Sequence, residues 1–320
     1  MDITWGSQLQ YHAVYWPWPI AIYLFLAGLS AGSLMVAVLL KWLDKNNLPP
    51  WDGLIRAGAA IAPITIILGL VLLIVDLGKP LTFWYLMLYF KPSSVMSIGV
   101  WLLAVYTPFC LLFTMAIFKD HFFSGTLAGY IRFLQPVVTF YENNSVKIEV
   151  FLLTIASGVA IYTGFLLSAA IGLPLLNQPI LPLLFLASGF SAGIAANIII
   201  GLTVFKAVVE PKNLKYLLML DLRVIPFELG MLFLMFAGMH FLGGAHALVG
   251  IQALTEGFWA GVFWFGVVGI GLVMPLIVAV TALHGHSYKK TTVLFNSVIL
   301  LLGVLLLRFY ILYAGQIYTG

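Results

Sequence analysis

The chain has 320 residues, 62% of them hydrophobic and 8% charged, with 15 Lys and Arg against 11 Asp and Glu and a net charge of +4. A soluble domain carries about 25% charged residues, so these values exclude a cytosolic enzyme, a disordered chain and a nucleic-acid binder. The single cysteine, Cys110, excludes a disulfide framework, a CxxC redox pair and an iron–sulfur cluster held by this chain alone.

A bilayer core about 30 Å thick requires roughly 20 apolar residues per helix. Eight stretches qualify, near 18–42, 53–75, 94–118, 147–170, 179–205, 223–247, 257–282 and 292–314. Alternating ten-residue strands of a membrane barrel are absent from the pattern. Asp2 stands before the first span with no Lys or Arg, unlike the start of a cleavable signal peptide. The expected fold class is an all-α integral membrane protein with eight transmembrane helices.

The first span opens Pro19-Ile-Ala-Ile-Tyr-Leu-Phe-Leu-Ala-Gly-Leu-Ser-Ala-Gly32. The fifth opens Pro179-Ile-Leu-Pro-Leu-Leu-Phe-Leu-Ala-Ser-Gly-Phe-Ser-Ala-Gly193. Apart from one inserted residue the two match, half a chain apart and in the same direction. A parallel repeat of two four-helix bundles follows as the expectation, one over 1–170 and one over 171–320. Gly28/Gly32 and Gly189/Gly193 are GxxxG pairs, read as helix-packing positions.

Cations orient the bundle, because positive residues concentrate in cytoplasmic links. The odd-numbered links hold Lys41, Lys45 and Arg56, then Lys119, Arg132 and Lys147, then Lys206, Lys212, Lys215 and Arg223, and finally Lys289 and Lys290. The even links and both tails hold only Lys79 and Lys91. Both termini are therefore expected outside, in the periplasm of a Gram-negative host, with the protein in the inner membrane. No link is long enough for a soluble catalytic domain, so any soluble catalytic centre belongs to another polypeptide.

An ionisable group in hydrocarbon costs about 2.5–3.5 kcal/mol on insertion scales and so demands a reason. Tyr23, Asp76 and Tyr162, with Lys79 and His12, are candidates for one set near the outer surface of the first bundle. Asp221 and Glu228, two helical turns apart on one face, lie deeper in the sixth span, and Arg308 interrupts the eighth. Bland readings stand beside these: tyrosines of an interfacial belt, a helix-end pair of Asp76 with Lys79, a solvated Asp221, and a buried pair of Arg308 with a carboxylate of the sixth span. Trp5, Trp16, Trp18, Trp51, Trp84 and Trp259 read as interfacial anchors.

Haem is not expected. Spans one to five have no mid-span histidine, and His240 and His246 are six apart on one helix, so they cannot share an iron. No metal-ligand spacing appears either. A quinone site requires an apolar cleft, donors for the ring oxygens and a group that moves a proton. Tyr23, Tyr162 and Asp76 meet that requirement. A proton-coupled carrier would also show a repeat with intramembrane carboxylates, and a passive anchor for soluble subunits is a third reading.

The string Trp16-Pro17-Trp18-Pro19-Ile-Ala-Ile-Tyr23 resembles the opening of the NrfD-type membrane subunits, the family that includes the polysulfide reductase anchor. Asp76-Leu-Gly-Lys-Pro80, Phe83-Trp84, Ser94-Val-Met-Ser97, Tyr162-Thr-Gly-Phe-Leu-Leu-Ser-Ala169, Asn177-Gln-Pro-Ile-Leu-Pro182 and Arg308-Phe-Tyr-Ile-Leu-Tyr-Ala-Gly-Gln316 continue the likeness in order to the end of the sequence. The resemblance implies a haem-free membrane subunit that oxidises quinol, as menaquinol, near the periplasmic face. It implies electron transfer to a periplasmic four-cluster iron–sulfur subunit and then to a molybdopterin catalytic subunit. It also implies turnover roles for Tyr23, Asp76, Tyr162, Asp221, Glu228 and Arg308, the same six residues that membrane cost selects. Asp76, where nitrite-reductase relatives tend to carry histidine, leans toward reduction of polysulfide or a related sulfur compound. A nitrite-reductase-type quinol dehydrogenase subunit is the alternative within the family.

Overall fold

A computed structural model of the protein describes residues 16–44, 51–77, 80–124, 132–207, 211–284 and 289–319. Eight helices are long and apolar enough to cross a membrane: Trp18–Leu43, Asp52–Val75, Val95–Ile117, Ser145–Ser168, Leu181–Thr203, Leu218–Leu242, Gly257–His284 and Lys290–Ile317. No strand occurs among the described residues. Consecutive spans reverse direction, so the start of the first span and the end of the second share one face, the Trp18 face. The opposite one is the Lys41 face.

Seven of the expected spans coincide with these helices to within three residues, and the sixth does not. Its helix runs from Pro211 to Leu242 and stops at Gly243 and Gly244, whose φ values of 69° and 55° belong to the left-handed region that glycine enters without steric penalty. Residues 244–247, expected inside the span, instead open a separate helix, Gly244–Thr255.

The first and fifth spans form the centre. Their apolar windows are 78% and 72% buried, against 22% for the third span and 28% for the sixth. The first packs on the second, fourth, fifth and eighth, and the fifth on the first, second, fourth, sixth and eighth. The repeated glycines explain the close crossing. A Cβ added to Gly32 would lie 1.9 Å from the Gly189 carbonyl oxygen, and one on Gly193 would lie 2.1 Å from the Gly32 carbonyl carbon. Backbone thus meets backbone at this crossing, as small-xxx-small faces permit.

The seventh span is irregular. It starts as an α-helix over Gly257–Gly261, runs as a π-helix over Val262–Val273 and returns to α-helix over Met274–His284. Long π stretches are rare and tend to mark functional regions. This one presses Gly271 against the eighth span so tightly that a Cβ on Gly303 would sit 2.0 Å from the Gly271 Cα.

Two features lie at the faces. On the Trp18 face, the link after the second span carries the short helix Tyr85–Leu88, with Trp84 stacked on Tyr85 at 4.0 Å. Leu81, Trp84, Leu88 and Tyr89 are exposed along it. On the Lys41 face, Trp51 departs from its expected role as an anchor. It is 3% exposed and packs 5.8 Å from the Tyr216 ring, because the segment entering the second span folds under the bundle. Trp18 and Trp84 remain exposed.

Candidate functional site

Tyr23 projects from the first span about 8 Å below its start, and Tyr162 from the fourth about 9 Å below its end, at a rise of about 1.5 Å per residue. The two phenols thus share a depth on the Trp18 side and are close enough for charge on one to act on the other. Both are buried, Tyr23 completely, and neither sits in an interfacial belt. Glycines make room for both rings. A Cβ on Gly69 of the second span would lie 3.3 Å from the Tyr23 ring, and one on Gly99 of the third would lie 1.8 Å from Tyr162 Cζ. The Tyr23 hydroxyl is sealed from solvent and has no hydrogen-bond partner among the described residues. A buried hydroxyl left so forfeits its hydration for nothing in return, which is the mark expected of a group that meets a ligand.

Asp76 caps the second span and is exposed. Seven residues separate it from Gly69, two helical turns, so it stands on the same helix face about 10 Å above the Tyr23 ring. The structure therefore arranges Tyr23, Tyr162 and Asp76 as a column from the buried phenols to the Trp18 face. His12 and Lys79 lie outside the described residues. A quinol headgroup fits the chemistry of this set: an orphaned phenol for one ring oxygen, a second phenol beside it, and a carboxylate on the route to water.

Arg308 is fully buried between the first, fifth and eighth spans. Its Nη2 donates to Ser188 Oγ at 2.8 Å and to the Phe185 carbonyl at 3.2 Å. The guanidinium also lies 3.6 Å over the Phe185 ring, a cation–π contact. A Cβ on Gly28 would meet Nη2 at 3.4 Å, so the glycine repeat shapes the cation's seat as well as the helix crossing. Nε and Nη1 have no partner among the described residues. Glu228 is 2% exposed and acts electrostatically on Arg308, the carboxylate of the sixth span expected to lower its cost. Backbone at Asp221 continues the same helix, while its side chain lies outside the described residues.

Sequence reasoning missed one polar cluster. Glu149, in the first turns of the fourth span, is fully buried. It accepts hydrogen bonds from Lys41 Nζ at 2.5 Å, Trp42 Nε1 at 2.5 Å and Tyr141 Oη at 2.7 Å. Tyr141 belongs to the short helix Gln135–Asn143 on the Lys41 face. Burial first, then the hydrogen bond to Glu149 and its charge, raise the Tyr141 phenol far above its ordinary range, so it stays protonated and donates. Midway along the first span, Ser30 bonds both the Ala62 carbonyl at 2.6 Å and the Tyr106 hydroxyl at 2.8 Å. Lys41 is readable from sequence only as one more cation of the first link, and nothing in the string ties it to a residue 108 positions away.

A family model described as "Polysulphide reductase, NrfD" matches residues 6–320. The protein is 48% identical to the C subunit of polysulfide reductase from Wolinella succinogenes over 320 residues, 100% of each sequence. It is 35% identical to the protein NrfD of Escherichia coli, over 98% of this sequence and 99% of that one. It is also 24% identical to the Hdr-like menaquinol oxidoreductase integral membrane subunit of Archaeoglobus fulgidus, over 92% of this sequence and 69% of that one.

Proposed function

Because this protein belongs to the NrfD family, we propose that it is the membrane subunit that takes electrons from menaquinol in a respiratory reductase. Relatives named as membrane subunits of menaquinol and selenate oxidoreductases support a place in such a complex. Greater identity to a polysulfide reductase subunit (48%) than to the E. coli NrfD protein (35%) favours polysulfide or a related sulfur compound as the terminal acceptor. Electrons leave this subunit for a periplasmic four-cluster iron–sulfur subunit and pass to a molybdopterin catalytic subunit.

In this reading residues 1–170 form the bundle that holds quinol and residues 171–320 form its repeat. Both termini and the Trp18 face are periplasmic. Quinol, when bound, supplies two electrons and two protons. Tyr23 and Tyr162 hydrogen-bond the ring oxygens, with His12 and Lys79 at the mouth of the same site. Asp76, exposed at the end of the second span, receives a proton from the phenol side and releases it to water, since a carboxylate within reach of solvent exchanges protons freely. Asp221, Glu228 and Arg308 balance charge or carry protons deeper in the second half.

The observation that carries this reading is the Tyr23 hydroxyl, wholly enclosed and unpartnered among the described residues, at the depth of Tyr162. In the intact complex, Tyr23→Phe is expected to lower quinol-dependent reduction by roughly 10²-fold, the scale of a lost acid–base or positioning group. Activity with a soluble artificial donor stays unchanged. Normal quinol-dependent turnover in Tyr23→Phe, Tyr162→Phe and Asp76→Asn would overturn the assignment.

A further inference from the structure

Asn296 lies on the eighth span, 0% exposed, and neither its Nδ2 nor its Oδ1 has a hydrogen-bond partner among the described residues. An amide enclosed in this way gives up its hydration at both ends. Folded proteins meet such groups with ordered water where the surroundings leave room. Gly303, Val304 and Leu307 follow on the same face of the helix at two to three turns. Together with Glu228, Leu232 and Gly271 they line a small cavity. The space there open to the centre of a water molecule is about 10 Å³, about one water's worth. Gly271 and Gly303 bring no side chains to it, and the π-helical turns of the seventh span form one wall. Arg308 adjoins Leu307 and keeps Nε and Nη1 unpartnered among the described residues.

We propose that Asn296 is a water-positioning residue, and that it and the Glu228 cavity are two hydrated stations of one route leading toward Arg308. The Asn296 Nδ2 donates to a water and Oδ1 accepts from one, which fixes the water's orientation. The amide itself does not titrate. An excess proton arriving at such a water is passed on as a different proton of the same molecule, so the station is unchanged after each passage. The use of this route for proton movement rests on the reading of Glu228 and Arg308 given above. The presence of water at Asn296 does not.

The test is radiolytic footprinting of the whole complex in membranes, where hydroxyl radicals formed from bound water oxidise neighbouring buried side chains. Val293 and Leu300, one turn either side of Asn296, are both 1% exposed. They are expected to label severalfold faster than the equally buried Leu24 and Leu152 of the first half. In Asn296→Leu their labelling falls to that of Leu24, and the protons moved per electron fall severalfold in liposomes. Asn296→Asp, with the same shape and an acceptor kept, restores both. Background labelling at Val293 and Leu300 in the native protein overturns the proposal whether or not any variant folds. So does an Asn296→Leu variant with unchanged labelling and a raised unfolding midpoint, the behaviour of a dry, purely costly amide. Failure of the quinol site reading would appear instead as normal turnover in Tyr23→Phe, which leaves the labelling untouched.

Discussion

Tyr23 and Glu149 are both fully enclosed, yet their surroundings are opposite. Glu149 takes three donors, one of them the Lys41 ammonium, and is complete in itself. Tyr23 has none among the described residues. The first pattern is structural, and its removal should appear in stability. Lys41→Met strands a buried carboxylate and is expected to destabilise the protein by about 3 kcal/mol, the low end for a broken buried pair because Lys41 is 21% exposed. The double variant Lys41→Met/Glu149→Gln recovers part of that loss in a thermal melt in detergent. Membrane cost makes the candidate residues legible one at a time, as Tyr23, Glu228 and Arg308 illustrate. It does not supply their partners. Glu149 falls in the first turn of a span, where a carboxylate reads as solvated, and Asn296 carries no charge for such an argument to find.

At the scale of the helix, glycine decides what can pack. Gly32→Ala places a Cβ against the backbone of the fifth span, which has no side chain to move aside. Folded yield should collapse, whereas Gly172→Ala, with nothing within 4 Å, should leave yield and melting unchanged. Gly99→Ala is more selective. Its new methyl meets the Tyr162 ring rather than backbone, so the side chain swings away, the fold survives and quinol-dependent turnover drops while artificial-donor turnover persists. The GxxxG strings make the first crossing readable in advance, since small residues four apart have few other uses in an apolar helix. The end of the sixth span and the π stretch of the seventh are not readable. Gly243-Gly244 lies in a run that stays apolar on either side, and Val262–Val273 carries no local mark that distinguishes widened turns from α-helix.

For the whole molecule, the eight spans follow from hydropathy almost to the residue, because the bilayer sets both length and composition. Their direction rests on the cation bias alone, and labelling can test it. Cys110 is the one cysteine and is buried, so the native background is silent. In intact cells an impermeant maleimide is expected to modify Gly172→Cys, in the link after the fourth span, and to leave the exposed Lys147→Cys untouched until the membrane is opened. The reverse pattern would turn the molecule over. The central claim is that menaquinol docks at the Trp18 side of the first half. A photoactivatable menaquinone analogue cross-linked to the complex in native membranes tests it most directly. Adducts are expected on peptides around Tyr23, Asp76 and Tyr162, competed away by menaquinol, and adducts confined to residues 171–320 would contradict the account.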